Sequence, residues 1–371
     1  DRSPSRGLGD VYKRQIMKHM KLIKLIFAMS VGVFVSWTMT SCENQDNEFP
    51  DYEGGTSVYF ATQYPVRTLV MGEDEYDTTL DNAHKCKINA TMGGVYANKK
   101  DITIDIEVDN TLCDNLYYSY TSASENVPVK AMPSNYYTLS DDKITLKNVL
   151  MDGVEVSFTD AFFADPEALT ATYVIPLVMT GVTNADRILN GTLSEGAEAV
   201  RCNSSVWLVQ PQDYVLYCVK YINKWTGKYL RHGVDKVTEN GTTTENDRHN
   251  EYVEDDEICQ TVTKSLTETI LTVTTNLGTT DNPRNISYKL LLVFNGDECV
   301  VSGLDGVTAT GTGKFVQDGE KNSWGNKDRD AIYLKYTVDF SNGLKLETED
   351  TLVAHSRGVA REDFTPIYVK N

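Results

Sequence analysis

Apolar and polar residues alternate with a period of two over most of this chain. Segments such as DITIDIEV at 101–108, VEVSFT at 154–159 and ISYKLLLVF at 286–294 alternate or run apolar, and they are rich in β-branched and aromatic residues. Successive side chains of a strand point to opposite faces of a sheet, so this pattern is typical of strands with at least one buried face. We therefore predict an all-β protein. Only the segments 110–120 and 160–169 are interpreted as short helices, the second capped by Asp160.

The strands fall into two blocks that meet near Pro211. The first block, residues 56–210, holds roughly eight short strands, which is typical of an immunoglobulin-like sandwich. Pro211 cannot donate to the ladder of a central strand, so we place the boundary there.

The second block, residues 211–371, begins with LYCVKYI at 216–222 and continues with longer meandering strands. Hairpin-like breaks occur at Asn240-Gly241, Asn295-Gly296 and Asn342-Gly343. This pattern favours a closed or nearly closed antiparallel β-barrel, lipocalin-like in its build, because closure removes exposed sheet edges. A second sandwich is the alternative.

The N-terminal region has the features of a bacterial lipoprotein signal. A basic start is followed by an apolar run at 22–39 and by small residues just before Cys42, and no basic cluster stops transfer afterwards. The run is about as long as a minimal membrane span, but its interruptions favour a removable segment over an anchor. The cysteine context resembles a lipobox, with Met39 in place of the usual Leu, so we expect Cys42 to be lipidated and residues 17–41 to be removed. Residues 1–16 do not look native, and we interpret them as an artefactual leader that is not part of the fold.

An acidic linker, residues 42–55, follows the signal. Its tract ENQDNE at 43–48 resembles the signal that sends Bacteroides-like lipoproteins to the outer face of the outer membrane. We therefore expect a lipid anchor in the outer membrane with the protein facing the cell exterior, and periplasmic retention is the alternative. Two acyl chains on one cysteine would anchor it stably.

The charge of the chain excludes one class of partner. The formal charge is −18, and removal of residues 1–41, which carry seven Lys/Arg and two Asp/Glu, brings it to about −23. Such a surface repels phosphate backbones, so we expect no nucleic-acid partner.

Six cysteines remain after Cys42, and their spacing contains no CxxC pair. The five histidines are scattered, so no zinc pattern is present and we expect no metal or cofactor. An even number of cysteines in an exported protein permits disulfides, and buried free thiols are the alternative.

A set of ordered motifs resembles a known domain. Within residues 55–210 the sequence contains YYTL at 136–139, ITL at 144–146, TDAFFADP at 159–166 and YVIPL at 173–177. This resembles the immunoglobulin-like domain of unknown function at the front of many Bacteroides surface lipoproteins. Residues 211–371 look like its usual C-terminal β-barrel-like partner, on the evidence of GKY at 227–229, RDAIYLKY at 329–336 and DTLV at 350–353. The resemblance implies a place in a polysaccharide-utilisation system beside an importer complex, and it supplies no catalytic residues.

No catalytic constellation is visible in the sequence. Glycoside hydrolysis needs two carboxylates across the scissile bond, and the only pair that stands out is Asp160 and Asp165. We interpret this pair as turn-forming acids beside the buried Phe162 and Phe163. Because no hydrolase, metalloprotease or P-loop motif is present, we expect a protein that is not an enzyme.

Glycan binding needs aromatic faces flanked by polar groups. Trp324 lies in the polar segment EKNSWGNKDRD, and Tyr117, Tyr118 and Tyr120 form an aromatic cluster in polar surroundings. These four residues are the candidate ligand contacts. We therefore expect a non-enzymatic surface lipoprotein that binds glycan or assists import. A surface adhesin or spacer that recognises protein is the alternative, and a cryptic glycosidase is a third.

Overall fold

A computed structural model describes residues 51–118, 127–278 and 282–370. The leader, the signal segment, Cys42, most of the acidic linker and Tyr120 lie outside the described residues. The α-helices of the described chain are the short segments Thr79–Asn82 and Asp160–Ala164. In chain order its strands are β1 (Ser57–Tyr59), β2 (Pro65–Val70), β3 (Lys85–Gly93), β4 (Asp101–Val108), β5 (Leu116–Tyr118), β6 (Val127–Pro128), β7 (Lys130–Ala131), β8 (Tyr137–Leu139), β9 (Lys143–Lys147), β10 (Met151–Phe158), β11 (Tyr173–Thr183), β12 (Arg187–Ile188), β13 (Thr192–Leu193), β14 (Trp207–Val209), β15 (Tyr214–Ile222), β16 (Gly227–Glu239), β17 (Thr242–Asp247), β18 (Glu257–Thr263), β19 (Glu268–Asn276), β20 (Asn285–Asn295), β21 (Glu298–Gly303), β22 (Thr308–Glu320), β23 (Arg329–Asp339), β24 (Leu344–Ser356), β25 (Glu362–Asp363) and β26 (Pro366–Tyr368).

The front of the chain forms a β-sandwich, so the all-β prediction is confirmed. One sheet has the order β12-β1-β3-β10-β8, and the other has the order β25-β2-β15-β11-β4-β9. Alternate residues of β3, from Cys86 to Met92, and of β4, from Ile102 to Ile106, are buried in one shared core. The period of two seen in the sequence therefore places one face of each strand in the sandwich core.

The second block is a closed antiparallel barrel, so the barrel is confirmed over a second sandwich. Its eight strands are β16 and β18 to β24, and β16 pairs with β24 along its whole length to close the ring. Inward-facing residues such as Leu271, Leu290 and Leu346 fill the interior. Trp225 lies in the same core and stacks on Phe294, with ring centroids 3.8 Å apart.

The hairpin between β16 and β17 has the predicted turn. Asn240 and Gly241 have φ angles of 49° and 83°, the left-handed values that a two-residue type I′ connection requires. Asparagine and glycine tolerate this region better than other residues do, which explains how the sequence marks the turn.

The helix expected over 110–120 is replaced, within its described residues, by one short helical turn and a short strand. Only Asn110–Cys113 is helical, as one 3-10 turn, and Asp109 caps it by accepting a hydrogen bond from the Thr111 backbone. Asn115 then takes a φ of 60°, and β5 follows. The second predicted helix forms, but Thr159 and not Asp160 occupies its N-cap position.

The strand β15 belongs to the sandwich, although we assigned its segment LYCVKYI to the second block. It pairs with β11 and β2, and both of its faces are covered: Val215, Val219 and Tyr221 face the main core, and Leu216 and Cys218 face a smaller one. A strand buried on both faces has a nearly continuous apolar run, and such a run does not indicate which sheet it joins.

The chain returns to the sandwich after the barrel. β25 pairs with β2 of the sandwich, and β26 pairs with β5. The sandwich and the barrel lie in one compact unit from Tyr52 onward. Among the described residues, no helix is long and apolar enough to span a membrane.

The six cysteines of the described chain are free thiols, five of them buried and Cys113 partly so. Burial raises the pKa of each to about 12. These thiols therefore pack as small apolar groups, which is one of the two alternatives left open by the sequence.

Candidate ligand-binding cleft

A cleft of about 520 Å³ lies where the sandwich meets the barrel, and we call it the junction cleft. Its walls are the loop 73–75 after β2, the start of β16, the β22–β23 hairpin and the end of β24 with the residues that follow it. Its cationic side chains are Lys228, Lys327, Arg329 and Arg357, and its carboxylates are Glu73, Asp74, Glu75, Asp318, Asp328 and Asp330. The cleft is therefore polar and carries more carboxylates than cations.

Arg357 fixes the floor of the junction cleft. Its guanidinium donates hydrogen bonds to the carbonyl oxygens of Met71 at 3.1 Å and Glu73 at 3.1 Å in the sandwich. It also donates to the carbonyls of Asn223 at 2.6 Å and Thr226 at 2.7 Å, in the segment that connects the two β-structures. Burial lowers the pKa of Arg357. One side chain thus ties the sandwich loop, the connecting segment and the end of the barrel together.

The connecting segment is itself rigid. Asn223 is fully buried, and its side-chain amide donates to the carbonyls of Ser265 and Glu268, each at 2.9 Å. A short buried link with satisfied polar groups resists domain motion, so the two sides of the cleft are held in one arrangement.

The β22–β23 hairpin is shaped by local polar contacts. Asp318, Asn322, Gly325 and Asn326 all have positive φ angles. The carboxylates hold the backbone: Asp330 accepts from the Asp318 backbone and Asp328 from the Asn322 backbone, both at 2.9 Å. Three of these four residues are Asn or Gly, which tolerate the left-handed region, so the local sequence allows this tightly turned hairpin.

Trp324 lies in this hairpin but does not line the cleft directly. Its indole nitrogen donates to the carbonyl of Ala354 at 3.0 Å, and the guanidinium carbon of Arg329 lies 3.4 Å from the centroid of its ring. The ring of His355 stacks on it at 5.0 Å. Arg329 and His355 do line the cleft, so Trp324 packs against two residues of the cleft wall without lining the cleft itself.

The carboxylates of the cleft have different pKa values because their surroundings differ. Burial, together with the nearby Asp318 and Glu73, raises the pKa of Asp330. Asp328 is more exposed, and the hydrogen bond from the Asn322 backbone and its contact with Lys321 lower its pKa. Of these two carboxylates, Asp330 therefore takes up a proton first as the pH falls.

Tyr117 and Tyr118, the members of the predicted tyrosine cluster that the structure describes, do not line the cleft. Tyr118 is buried, and its hydroxyl donates to the carbonyl of Thr172 at 3.1 Å. Tyr117 is its neighbour on β5, so the two rings point to opposite faces of that strand. The ring of Tyr118 packs on Phe364 with centroids 4.9 Å apart, which makes it a core residue.

Asp165 is a turn-forming acid as expected, whereas Asp160 is the first residue of its helix and does not cap it. Asp165 accepts hydrogen bonds from the hydroxyls of Tyr136 at 2.9 Å and Tyr173 at 2.6 Å, and it caps the next 3-10 turn. Burial acts against ionisation of Asp165, but these hydrogen bonds lower its pKa. Phe162 and Phe163 beside them are buried.

In the described part of the chain, no cluster of three or more His, Cys, Asp or Glu side chains could hold a metal ion.

A buried charge network inside the barrel was missed by our sequence analysis. Arg231 on β16 donates from Nε to Asp350 at 3.0 Å, and Arg248 reaches the same carboxylate at 2.5 Å. Arg248 also binds Asp235 at 2.8 Å, and the hydroxyl of Tyr336 donates to Asp350 at 2.8 Å. The sequence does contain a pattern that indicates this network, because the charged residues 231 and 235 occupy inward positions of β16 beside Tyr229 and Val237. The two carboxylates pair most of the donors of Arg231 and Arg248, although one guanidinium nitrogen of each arginine (Nη2 of Arg231 and Nη1 of Arg248) is buried without a hydrogen-bond partner among the described residues. The network lies within the barrel, and we assign it to structure.

The geometry places the protein in a class of two-part β-proteins, in which a β-sandwich carries a closed antiparallel barrel. A crystal structure of a protein of unknown function from Bacteroides ovatus is 43% identical over 86% of this chain and 100% of that chain, with a TM-score of 0.77. The chain therefore belongs to the same family as that protein. Residues 224–358 match DUF5627, a domain of unknown function, and a family model of an N-terminal domain matches residues 51–186. The expected resemblance to Bacteroides proteins with domains of unknown function is thus confirmed.

Other solved structures are more distant. A multidomain protein including DUF1735 from Bacteroides ovatus is 12% identical over 80% of this chain and 93% of that chain, with a TM-score of 0.35. An auxiliary nutrient-binding protein from Bacteroides thetaiotaomicron is 12% identical over 78% of this chain and 90% of that chain, with a TM-score of 0.33. These similarities are too low to transfer a function. No curated protein matches the sequence.

Proposed function

We propose that the protein is a non-enzymatic cell-surface lipoprotein that binds a neutral glycan in the junction cleft. The observation that carries this proposal is the cleft itself, a rigid polar cavity of about 520 Å³ between two β-structures. Cavities of this size at domain junctions are common ligand sites. Glycan hydroxyl groups pair well with the carboxylates, lysines and backbone groups of such walls.

The charge of the cleft supports a neutral ligand. Its carboxylates outnumber its Lys and Arg side chains, and Arg357 is already committed to four backbone carbonyls. An acidic polysaccharide would meet net repulsion there, whereas a neutral sugar would meet donors and acceptors without a charge penalty. The exposed His355, held flat against Trp324, adds a planar surface at the wall.

Membrane attachment through Cys42 is part of the same proposal. The lipobox-like sequence and the acidic tract that follows support a lipid anchor in the outer membrane, with the protein facing outward beside an importer. Metabolic labelling with a fatty-acid analogue tests this, with Cys42→Ala as the variant that should lose the label. Labelling of Cys42→Ala as strong as that of the wild type would contradict the anchor.

Binding is tested with the intact protein against a panel of neutral plant and host oligosaccharides by isothermal titration calorimetry. We expect Asp74→Ala and Lys327→Ala to weaken binding by about tenfold each, as loss of a hydrogen bond to a charged group would. Trp324→Ala should also weaken binding, because Arg329 and His355 lose their support. Lys345→Ala is the matched control, since Lys345 pairs with Glu347 outside the cleft.

Other outcomes identify the alternatives. If no glycan binds, and pull-down recovers one specific protein partner without glycan, the protein is an adhesin or spacer. If a bound glycan is cleaved, and one carboxylate substitution abolishes turnover, the non-enzymatic assignment is wrong. If binding is unchanged in all three cleft variants, the glycan binds elsewhere on the protein.

A further inference from the structure

A second cavity, of about 630 Å³, lies at the edge of the sandwich, and we call it the edge pocket. It lies between the β1–β12 edge and the β13–β14 ribbon, and it shares no lining residue with the junction cleft. The polar side chains that line it are those of Tyr52, Ser57, Arg187, Asn190, Thr192, Gln210 and Gln212.

The charge of the edge pocket is opposite to that of the protein. The chain carries 53 Asp and Glu residues, yet none of the described residues that line this pocket has a carboxylate. Its one charged side chain is the exposed Arg187. The nearest acid in sequence, Asp186, does not line the pocket: Thr56 holds it with hydrogen bonds from its backbone nitrogen and hydroxyl at 2.6 and 2.8 Å, and these bonds lower its pKa and so favour its ionised form. An anionic group is therefore favoured in this pocket although most of the surface repels it.

The backbone positions the arginine. β12 runs parallel to β1 and places Arg187 beside Ser57. The Arg187 guanidinium donates from Nε to the Ser57 hydroxyl at 3.0 Å and from Nη2 to the Gly54 carbonyl. A guanidinium oriented in this way can donate the paired hydrogen bonds that a carboxylate accepts.

The pocket also has the parts that bind a sugar ring. The side chain of Tyr52 is 67% exposed, so its ring is available for stacking on the apolar face of a pyranose. The amides of Asn190, Gln210 and Gln212 can each both donate to and accept from hydroxyl groups. Gly191 is required in this lining, since its φ is 74° and a Cβ there would lie 2.5 Å from the Val209 carbonyl oxygen.

We propose that the edge pocket binds a saccharide that carries a carboxylate, a uronic-acid sugar. Arg187 binds the carboxylate, Tyr52 stacks on the ring, and the amides bind the hydroxyls. This site goes beyond the neutral-glycan site of the junction cleft and does not depend on it.

The test compares a short oligogalacturonate with its methyl ester, which removes the charge and keeps the sugar skeleton. We expect the acid form to bind the intact protein in calorimetry, and the ester to bind about tenfold more weakly. Arg187→Gln should remove this difference, and Tyr52→Ala should weaken both forms by about tenfold. The control is Tyr252→Ala, which removes an exposed tyrosine from the barrel part of the chain.

Three results would overturn the proposal. The first is that the acid form does not bind. The second is equal binding of acid and ester by the wild type. The third is an unchanged preference for the acid in Arg187→Gln with normal thermal stability. Loss of binding in Lys327→Ala, with Arg187→Gln unaffected, would assign the acidic sugar to the junction cleft and would contradict the edge pocket without bearing on neutral glycans.

Discussion

Arg357 donates a hydrogen bond to the carbonyl of Met71, although 286 positions separate the two residues in the chain. The same guanidinium holds Asn223, so a residue just past the end of the barrel controls how the sandwich and the barrel meet. This relationship makes the junction a single structural element whose integrity can be tested.

Arg357→Ala should destabilise the junction. It removes the guanidinium donor from four carbonyl oxygens, of which, among the described residues, only that of Asn223 keeps a backbone donor, Thr226. A cost of about 2–4 kcal/mol is expected for the loss of a partly buried charged hydrogen-bonding group. Chemical denaturation measures the cost, and hydrogen exchange should show faster exchange at residues 71–73 and 223–226. Arg361→Ala, an exposed neighbour in the same tail, is the control and should change stability by less than about 0.5 kcal/mol. Equal effects of the two variants would contradict this role.

Asp350→Asn should lower the free energy of unfolding much more than a substitution on the outer face of the same strand. Asp350 accepts from Arg231, Arg248 and Tyr336 inside the barrel, and loss of its charge leaves buried guanidinium groups poorly compensated. We expect a loss of about 3–5 kcal/mol. Glu349→Gln, one position away and exposed, should cost less than about 1 kcal/mol. Thermal and urea unfolding measure both. Similar values would show that the network does not stabilise the fold.

The stability of Asp330→Asn should depend on pH in a defined direction. Burial raises the pKa of Asp330, so the folded protein favours the protonated carboxyl group more than the unfolded chain does. The free energy of unfolding that this proton contributes is present at low pH and is lost as the pH rises through the raised pKa. Asparagine keeps an acceptor for the Asp318 backbone and carries no charge. The variant should therefore be more stable than the wild type at neutral pH, and the gain should shrink toward about pH 4. A gain that is the same at both pH values would contradict the pKa shift.

The native thiols should be unreactive. Because burial raises the pKa of all six to about 12, almost no thiolate exists at neutral pH. A thiol reagent should label the native protein slowly and the denatured protein at once. Cys113 is the least buried and should react first, so Cys113→Ser should remove the earliest phase. Rapid labelling of the other cysteines in the native state would contradict their burial.

The sequence pattern predicted the strands well because a period of two reports directly which faces are buried. Alternation along β3 and β4 was sufficient to predict a sandwich face, and Asn240-Gly241 was sufficient to predict a hairpin. The pattern did not assign β15 to its sheet, since a run that is buried on both faces carries no information about its neighbours.

The candidate site was only partly predictable for a related reason. The polar setting of Trp324 marked the right hairpin, but stacking of Arg329 and His355 on the indole depends on strands that are distant in sequence. Arg357 gave no local signal, because its role arises from contacts across the junction. Asp330 contacts the Asp318 backbone within its own hairpin, but its raised pKa depends on burial that the local sequence does not indicate. Tyr118 has polar neighbours in the sequence, but in the structure it is buried and its ring packs on Phe364, near the end of the chain.

The pairing of Lys228 with Ser356 has a consequence for how such a protein can change. The barrel begins and ends at neighbouring positions on adjacent strands, and the chain on either side continues in the sandwich. A module whose two ends emerge side by side can be exchanged for another without rerouting the chain that supports it. The barrel is therefore an insertion between two sandwich segments, and evolution can exchange it for another domain without altering the sandwich strands on either side.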